Sequence, residues 1–538
     1  MLFRLFPPDQ NQNQDKPTTF THLHSTPPST GPVIHRPGFA IPGLWDGHGH
    51  LLQYGEFLHS ADLFGCTSYA CILDRLAAYL ALHPEAGTPQ SWLRGVGWDQ
   101  NILGSMPTAG MLEGDARLAG RYVMLDRVDV HCTWVSRAVL DLLPREVGDV
   151  PGGEIVREPG MGVFCDNAMD LVVRLWTRPD GERKRGFVRS AMAELNKVGV
   201  VGMHDAGVVP RDLEMFEGMV GEEGWSVRVY AMVECEERNT FCPGEAPWVE
   251  RADGMLVVRS VKLFGDGALG SWGSALLAPY SDRPSTSGSL LINATALTAV
   301  ATSWAQAGYQ VNIHAIGDLA NRHAISALTT ALEAVCPPSP SDPSPNLAEC
   351  QSRHRFRIEH SQIISPPDQE RMHALGILPS IQPTHATSDS SYAEARLGPE
   401  RIASSAYRMK SLLDLNPVLG SDFPVEPPSP FEGIYAAVTR RSPRTGKGPE
   451  GWEGGWHAEE ALSLEEAVRG FTVGAAHGGF MEGKAGVIKE GAYADWVVLD
   501  RELGGYAVEE LRAMKVKETW VGGRRVYERE DGEVKEDL

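Results

Sequence analysis

Two histidines separated by one residue follow a short apolar run near the start of the chain. The segment IPGLWDGHGHLL places His48 and His50 at positions i and i+2. In a β-strand, side chains at such positions point to the same face, so both imidazoles can reach one ion. An isolated pair of this kind is more often two ordinary surface or core histidines. The pair by itself therefore does not predict a metal site.

Three more residues that can bind a metal stand where other apolar runs end. His314 ends GYQVNIH, His360 ends RFRIEH, and Asp422 closes PVLGSD. The carboxyl ends of barrel strands meet at one mouth, where side chains from distant parts of the chain converge. Imidazole and carboxylate ligands without thiolate suit zinc or a similar divalent ion. Together with the first pair, these residues predict a metal site.

The elements that must position these side chains are visible as an alternating pattern. From Gly43 to about Leu499, short apolar runs such as Tyr122–Leu125 and Val200–Met203 alternate with amphipathic stretches such as Gly186–Val198. Strand and helix in repeated alternation predict a parallel sheet, and this many repeats favour a closed barrel. The predicted fold class is α/β, a (β/α)8 barrel with a small accessory β domain.

Composition along the chain suggests three parts. Residues 1–38 are rich in Pro, Thr, Asn, Gln and His and predict a disordered N-terminal arm. Residues 39–480 are assigned to the barrel, within which Cys336–Cys350 reads as a Pro/Ser-rich surface insertion and Ser442–Trp456 as a mobile loop. Residues 481–538 contain two β-like pieces around a Gly-Gly turn and predict the C-terminal part of the small domain.

Charge and hydropathy narrow the classes of partner. The chain has 49 Lys and Arg against 70 Asp and Glu, which gives a net charge of −21. An acidic protein repels phosphate backbones and anionic membrane surfaces. No stretch approaches the ~18 apolar residues of a membrane span. We therefore expect no nucleic-acid partner and no membrane, and a small molecule as the substrate.

The eight cysteines include no CxxC pair. In a chain of this length, without a signal-peptide core in its first residues, free buried thiols are expected rather than disulfides. The same reasoning predicts a cytoplasmic protein. The sequon at Asn293, followed by Ala294 and Thr295, would then meet no glycosylating compartment and reads as chance.

Longer motifs give the chain a family resemblance from about Ala40 to Glu528. They are PGLWDGHGHLLQYG, GWDQ, LDRVDVHCTWVSRAVL, PGGEIVRE, VKLFGDGALGSWGSALLAPYSD, NIHAIGDLAN, RIEHSQ, GSDFPVEPPSPFEGIYAAVTR and GVIKEGAYADWVVLD. With these motifs the sequence resembles the amidohydrolase superfamily, and within it amidohydrolase family 3, which includes N-substituted formamide deformylase-like enzymes.

The resemblance implies a centre of two divalent ions, with zinc as the expected metal. His48 and His50 would bind the more buried ion, and His314 and His360 the other. Asp422 would ligate a metal and act as the general base.

A carboxylated lysine commonly bridges the two ions in this superfamily, and Lys262 is the candidate. Carboxylation turns a cationic amine into an anionic ligand for two ions. The alternative is an ordinary lysine paired with the nearby Asp266.

Substrate contacts are expected from loops above the barrel. The resemblance places Trp98, Asp99, Arg127 and Trp134 near the pocket. His131 and His204 are further candidate contacts, because either could hold the oxyanion of a tetrahedral intermediate. For His204, a supporting position behind the metal ligands and a role as a ligand are equal alternatives. Trp98 and Trp134 could equally fill a hydrophobic core.

The implied reaction is hydrolysis of a non-peptide carbon–nitrogen bond in a small molecule, by water that the metal activates. Two alternatives stay open. One is a non-catalytic amidohydrolase-like scaffold protein, and the other is a hydrolase of cyclic amides or esters, or a deaminase. A homo-oligomer is also open, because members of this superfamily often form dimers or tetramers.

The chain departs from the family pattern at two places. Residues 1–38 lack the initial strand that usually joins the C-terminal strands, so the small domain is expected to be built mostly from residues 486–500 and 518–528. Ser136 stands where the family often has Asn, which could shift specificity.

Overall fold

A closed parallel barrel forms the centre of the molecule. The computed structural model describes residues 2–5, 20–24, 38–338 and 345–530. Eight parallel strands neighbour one another in chain order. They are Leu44–Gly49, Val200–Val208, Arg228–Val233, Leu256–Phe264, Gln310–Ala315, Arg357–His360, Leu378–Ile381 and Val418–Leu419. A parallel bridge between Gly49 and Phe423 joins the first strand to the chain beyond the last. The predicted (β/α)8 barrel is confirmed.

The barrel strands are buried because side chains fill the interior and helices cover the outside. Leu44–Gly49 and Arg228–Val233, for example, are buried at every position. The outer and connecting helices are Gly181–Lys197, Pro210–Met219, Ala294–Gln306, Asp318–Val335, Leu347–His354, Pro366–Leu375, Pro383–Asp389, Ala393–Leu397, Pro399–Ser405, Pro430–Thr439, Leu464–Arg469 and Ala475–Gly478.

The helix Gly181–Lys197 shows how local sequence sets these elements. The Asp180 side chain caps its first turn by accepting a hydrogen bond from the Arg183 N–H. Phe187, Val188, Ala191, Met192 and Leu195 recur at helical spacing and are buried against the barrel. The predicted helix Gly186–Val198 is thus present and begins five residues earlier.

A second sheet, called the inserted sheet below, is formed by the part of the chain between the first barrel strand and the helix Gly181–Lys197. Its six strands are ordered Ala61–Asp62, Leu93–Trp98, Val123–Arg127, Cys132–Val135, Val163–Asp166 and Gly153–Val156. Its helices, with the one that follows the first barrel strand, are Leu51–Leu58, Tyr69–Leu82, Gln100–Leu103, Ala109–Glu113, Arg137–Leu140 and Asp170–Val173. The run Tyr122–Leu125 therefore contributes to this sheet, not to the barrel as the alternating pattern suggested. Apolar periodicity indicates a strand, but it does not say which sheet the strand joins.

The small β domain is a four-stranded antiparallel sheet. Its strands are ordered Arg524–Glu528, Glu518–Val521, Trp496–Leu499 and Phe39–Pro42. Phe39–Pro42 pairs with Trp496–Leu499, so a strand that immediately precedes the first barrel strand completes the sheet. The buried pair Arg228–Asp495, with a 2.7 Å contact between Arg228 Nε and Asp495 Oδ2, joins the chain beside this sheet to the barrel.

The predicted disordered arm falls largely outside the described residues. Within it, Leu2–Leu5 and Phe20–His24 form an antiparallel pair. Residues 339–344 of the predicted surface insertion and residues 531–538 also lie outside the described part. Two further short elements are the strand Val249–Glu250 and the α-helix Val508–Leu511. Among the described helices, none has both the length and the apolar composition needed to cross a membrane.

The expectation of free thiols is wrong. The cysteines form four disulfides: Cys66–Cys71, Cys132–Cys165, Cys235–Cys242 and Cys336–Cys350. Cys132 and Cys165 face each other across two antiparallel strands, so the sheet register brings them together. The other three pairs are separated by 5, 7 and 14 residues along the chain. The spacing of cysteines along the sequence could not reveal the pair Cys132–Cys165, because this pairing depends on how the two strands align.

Candidate active site

The predicted metal ligands converge at the carboxyl ends of the barrel strands. His48 and His360 are at the ends of the first and sixth strands, and His314 is near the end of the fifth. His50 directly follows the first strand, and Asp422 lies three residues beyond the eighth. All of them except His48, which is fully buried beneath, line a cavity of about 1330 Å³.

Distances show that these side chains form one cluster around Asp422. Its Oδ1 lies 3.2 Å from His50 Nε2 and 3.5 Å from His48 Nε2. The ring centroid of His360 is 4.8 Å from that of His48 and 4.4 Å from that of His314. Side chains from four regions of the sequence thus share one small volume.

A histidine that the sequence analysis missed completes the cluster. His385 Nε2 lies 3.6 Å from Asp422 Oδ2, and its ring is stacked at 5.9 Å on that of His360. The groups His48–His50–Asp422 and His360–His385–Asp422 each offer three ligand atoms within 4.8 Å of one another. His385 is the third residue of the helix Pro383–Asp389, so no apolar run ends on it. Its only sequence signal is its place four residues after the seventh strand.

Two buried side chains orient the histidine ligands from behind. His48 Nδ1 lies 2.5 Å from Glu359 Oε2, a carboxylate that also accepts a 3.0 Å hydrogen bond from Arg357 Nη2. His360 Nδ1 lies 2.9 Å from Gln382 Oε1. Each ring then donates through Nδ1 and keeps Nε2 as the ligand atom, an arrangement typical of metal-bound histidines. Neither Glu359 nor Gln382 was predicted from the sequence.

The contact between Glu359 and His48 can be tested by substitution. Replacing Glu359 by Gln is expected to weaken metal affinity by about 10- to 100-fold, because the imidazole of His48 loses its charged partner. Metal titration followed by calorimetry measures the change. Glu349→Gln, on the exposed side of helix Leu347–His354, is the control and should leave affinity unchanged. Equal affinities in the two variants would contradict the orienting role.

The backbone is strained at two residues of the cluster. His360 has a φ of 72° and Asp422 a φ of 63°, in the left-handed region that side chains other than glycine rarely adopt. Such conformations cost about 1–3 kcal/mol each and concentrate at functional sites. The Asp422 N–H donates a 2.7 Å hydrogen bond to the His48 carbonyl, which helps to hold this turn against the first strand.

The cluster fits a divalent metal. His314 Nε2 and His385 Nε2 are buried and have no hydrogen-bond partner in the described structure. Unpartnered buried polar atoms cost about 1–3 kcal/mol each, and a cation at their centre would satisfy them. Imidazole nitrogens and a carboxylate are the donors that zinc and similar ions prefer.

The charge states also suit metal binding. Burial lowers the pKa of His48, His314 and His360 well below the ordinary value, so these rings are neutral and their lone pairs are available. Burial alone would raise the pKa of Asp422. The facing histidines, His48 and His50 foremost, outweigh burial and hold the pKa of that carboxyl below its usual range. Asp422 is therefore ionised, which suits it to bind a cation.

Lys262 reaches the same centre from the fourth barrel strand. Its Nζ lies 3.4 Å from His48 Nε2 and 3.4 Å from the Ala206 carbonyl oxygen. Burial lowers the pKa of Lys262, which favours the neutral amine. The alternative pairing with Asp266 does not match its contacts, because that carboxylate accepts three backbone N–H groups, those of Ala275, Ile316 and Gly317.

The inserted sheet supplies one wall of the cavity. Arg127 binds Asp99 at 3.0 Å and Asp129, so its charge is balanced within the wall. His131 Nδ1 lies 2.9 Å from Asp166 Oδ1, and its ring centroid is 5.6 Å from that of His314. Burial opposes the charged imidazole, but Asp166 outweighs it and raises the pKa of His131. Asp99, Arg127 and His131 thus line the cavity; their contact with a substrate stays a prediction.

The other expected contact residues lie elsewhere. Trp98 and Trp134 are buried in the core of the inserted unit, where each indole N–H donates to a backbone carbonyl. His204 is fully buried inside the barrel, and its Nδ1 accepts a 2.7 Å hydrogen bond from Arg357 Nη1. None of the three lines the cavity. Trp98 and Trp134 therefore match the alternative of a hydrophobic core position. His204 matches the alternative of a supporting position, because it lies inside the barrel and is bonded to Arg357.

Ser136, the other departure from the family pattern, has a local structural role. Its hydroxyl donates to the Arg121 carbonyl at 2.7 Å and accepts from the Val123 N–H at 3.1 Å. It does not line the cavity.

Two known proteins are similar to the chain along nearly its whole length. The chain is 28% identical over 516 residues to the "Putative amidohydrolase YtcJ" of Bacillus subtilis (strain 168), covering 93% of this chain and 91% of that protein. It is 24% identical over 509 residues to the N-substituted formamide deformylase of Arthrobacter pascens, covering 91% and 88% respectively.

A solved structure shows the same architecture. An uncharacterized metal-dependent hydrolase from Pyrococcus horikoshii OT3 superimposes with a TM-score of 0.67 at 25% identity, covering 86% of each chain. The model of the amidohydrolase family matches residues 38–527, which include the barrel, the inserted sheet and the small β domain. The chain belongs to the amidohydrolase family.

Proposed function

We propose that this protein is a metal-dependent hydrolase that cleaves a non-peptide carbon–nitrogen bond in a small molecule. The observation that carries the proposal is the cluster of His48, His50, His314, His360 and Asp422 at the mouth of the barrel. Family membership supports a hydrolase. The name of the Arthrobacter pascens relative, an N-substituted formamide deformylase, supports the bond class.

The residues present would hold two divalent cations, for which we propose zinc. His48 and His50 would hold one, His314 and His360 the other, with Asp422 as a ligand and a carboxylated Lys262 between them. His385 is a further donor beside the second site. Cations bound here act as Lewis acids and lower the pKa of water toward neutrality.

Asp422 is placed to move the proton in this reaction. Its carboxylate is ionised and buried, and Oδ1 lies 3.2 Å from His50 Nε2 within the cluster. It can accept a proton from the attacking water and return it to the leaving nitrogen. The 2.7 Å hydrogen bond from the Asp422 N–H to the His48 carbonyl holds this residue beside the first barrel strand.

His131 is placed to bind the substrate from the opposite wall. Asp166 accepts from Nδ1, which fixes the ring and leaves Nε2 for the substrate. A donor at this position would stabilise negative charge that develops on a carbonyl oxygen.

The roles of His131 and Asp166 can be separated by kinetics. Replacing His131 by Ala is expected to lower kcat/KM by about 10²-fold, as for loss of one oxyanion donor. Asp166→Asn should cost less than Asp166→Ala, because an amide oxygen can still accept from Nδ1. Steady-state kinetics of the three variants tests this order. Loss of the same size in both Asp166 variants would assign Asp166 a structural role only.

A substrate screen tests the proposed function itself. Metal-loaded protein is offered N-formyl, N-acyl and cyclic amides, with esters and amino-substituted heterocycles as competing classes. Release of an amine from acyclic amides supports the proposal, and turnover confined to esters or to deamination would replace the bond class. Protein that binds no zinc, manganese or iron and hydrolyses nothing would instead support a non-catalytic scaffold.

A further inference from the structure

All eight cysteines of the chain lie in described residues and are paired. The disulfide Cys132–Cys165 links two strands of the inserted sheet, and Cys235–Cys242 closes a loop after the third barrel strand. None of the eight lines the active-site cavity. The four disulfides are therefore structural and not part of the chemistry of the barrel mouth.

Four structural disulfides in one chain indicate that the protein folds in an oxidising compartment. Disulfides form and persist in oxidising environments, whereas cytosolic thiols are kept reduced and cytosolic disulfides are mostly transient. Two pairs lie in the part of the chain that forms the inserted sheet, one in a loop after the third barrel strand and one after the helix Asp318–Val335, so they cannot belong to one redox switch. This distribution favours oxidative folding over the cytoplasmic location that composition suggested.

The same molecule displays one glycosylation sequon in an accessible position. Asn293 and Thr295 are both exposed and stand at the start of the helix Ala294–Gln306. Asn293 caps that helix: its Oδ1 accepts a 2.9 Å hydrogen bond from the Ala296 N–H. The cap uses the oxygen, whereas a glycan attaches to Nδ2. A glycosylated amide keeps its carbonyl, so the cap and the modification are compatible.

We propose that this protein folds in an oxidising compartment and carries an N-linked glycan on Asn293. Eight thiols become four disulfides by passing eight electrons and eight protons to an oxidant of the disulfide-exchange class. At Asn293, Nδ2 bonds to the anomeric carbon of a lipid-diphosphate-linked oligosaccharide. The lipid diphosphate leaves, and Nδ2 loses one proton. The inference does not depend on the proposed function.

The test is mass spectrometry of the protein isolated from the cells that produce it. Alkylation without reduction is expected to label none of the eight cysteines, and alkylation after reduction to label all of them. The peptide containing Asn293 is expected to carry a glycan that a peptide N-glycosidase removes, converting Asn293 to Asp. Eight reactive thiols would overturn the compartment, and an unmodified Asn293 would overturn the glycan site.

Variants of the sequon, produced in the same cells, separate the loss of the modification from a failure to fold. Asn293→Asp cannot be glycosylated but keeps an excellent helix cap, and Thr295→Ala removes the sequon while leaving the cap residue in place. Both should lose one glycan-sized step in mass and stay folded by circular dichroism. Thr295→Ser preserves the sequon and should retain the glycan. A mass step that persists in Asn293→Asp would place the glycan elsewhere and overturn the site.

Discussion

Replacing Asp422 by Asn is expected to lower kcat/KM by about 10³-fold or more on any substrate that the screen identifies. Asn is nearly the same size and can still contact a metal through oxygen, but it cannot accept and return a proton. General acid–base groups contribute about 10²–10⁴-fold, and about 10³-fold corresponds to roughly 4 kcal/mol of transition-state stabilisation. Steady-state kinetics at saturating metal, together with metal content, measures the effect.

The matched control is Asp500→Asn, which changes a partly exposed carboxylate paired with Arg529 beside the small sheet. It should retain full activity and full metal content. The mechanism assigned to Asp422 would be wrong if its Asn variant kept activity within about tenfold of the parent at equal metal occupancy.

Removal of divalent metal is expected to give the second large effect, on stability. The cluster contains buried polar atoms without partners and neutral, metal-ready imidazoles. A ligand that binds only the folded state stabilises it by about 4 kcal/mol at a free concentration 1,000 times its Kd. Chelated protein should therefore unfold at a lower temperature, and added zinc should restore the transition as its concentration rises. Differential scanning calorimetry across a zinc series measures this dependence.

Histidine variants distinguish the cluster from adventitious zinc sites. His314→Ala removes a buried ligand and should abolish most of the zinc-dependent rise in Tm. His373→Ala, on the exposed face of the helix Pro366–Leu375, should leave it intact. A rise in Tm that is the same in both variants would place the stabilising zinc outside the barrel mouth.

Much of the candidate site could be predicted from local patterns in the sequence. Residues that close apolar runs, such as His314 and His360, are at strand ends in the structure as well. Parallel strands of a barrel share one mouth, so a strand-end position is sufficient to predict that these side chains meet. The pair His48 and His50 alone does not predict a metal site, and the prediction depends on these residues from distant parts of the sequence.

Other features could not be predicted because they depend on neighbours far away in the sequence. Glu359 supports His48 across 311 residues, and His385 joins the cluster from inside a helix. Neither has a local signal that separates it from an ordinary buried acid or helix histidine. The same limit applies to Trp98 and Trp134, whose place in the inserted core depends on a sheet that periodicity did not distinguish from the barrel.

The sequence by itself was sufficient to predict the (β/α)8 barrel and the His and Asp side chains that meet at its mouth, since hydrophobic periodicity and residue type are local properties. That these side chains bind metal stays a prediction. Only the tertiary structure decided which strands form the inserted sheet, that Phe39–Pro42 completes the small sheet, and how the cysteines pair. Strand partners and register arise from packing between segments that are distant in the chain. One sequence read along its length does not contain the distances that such packing creates.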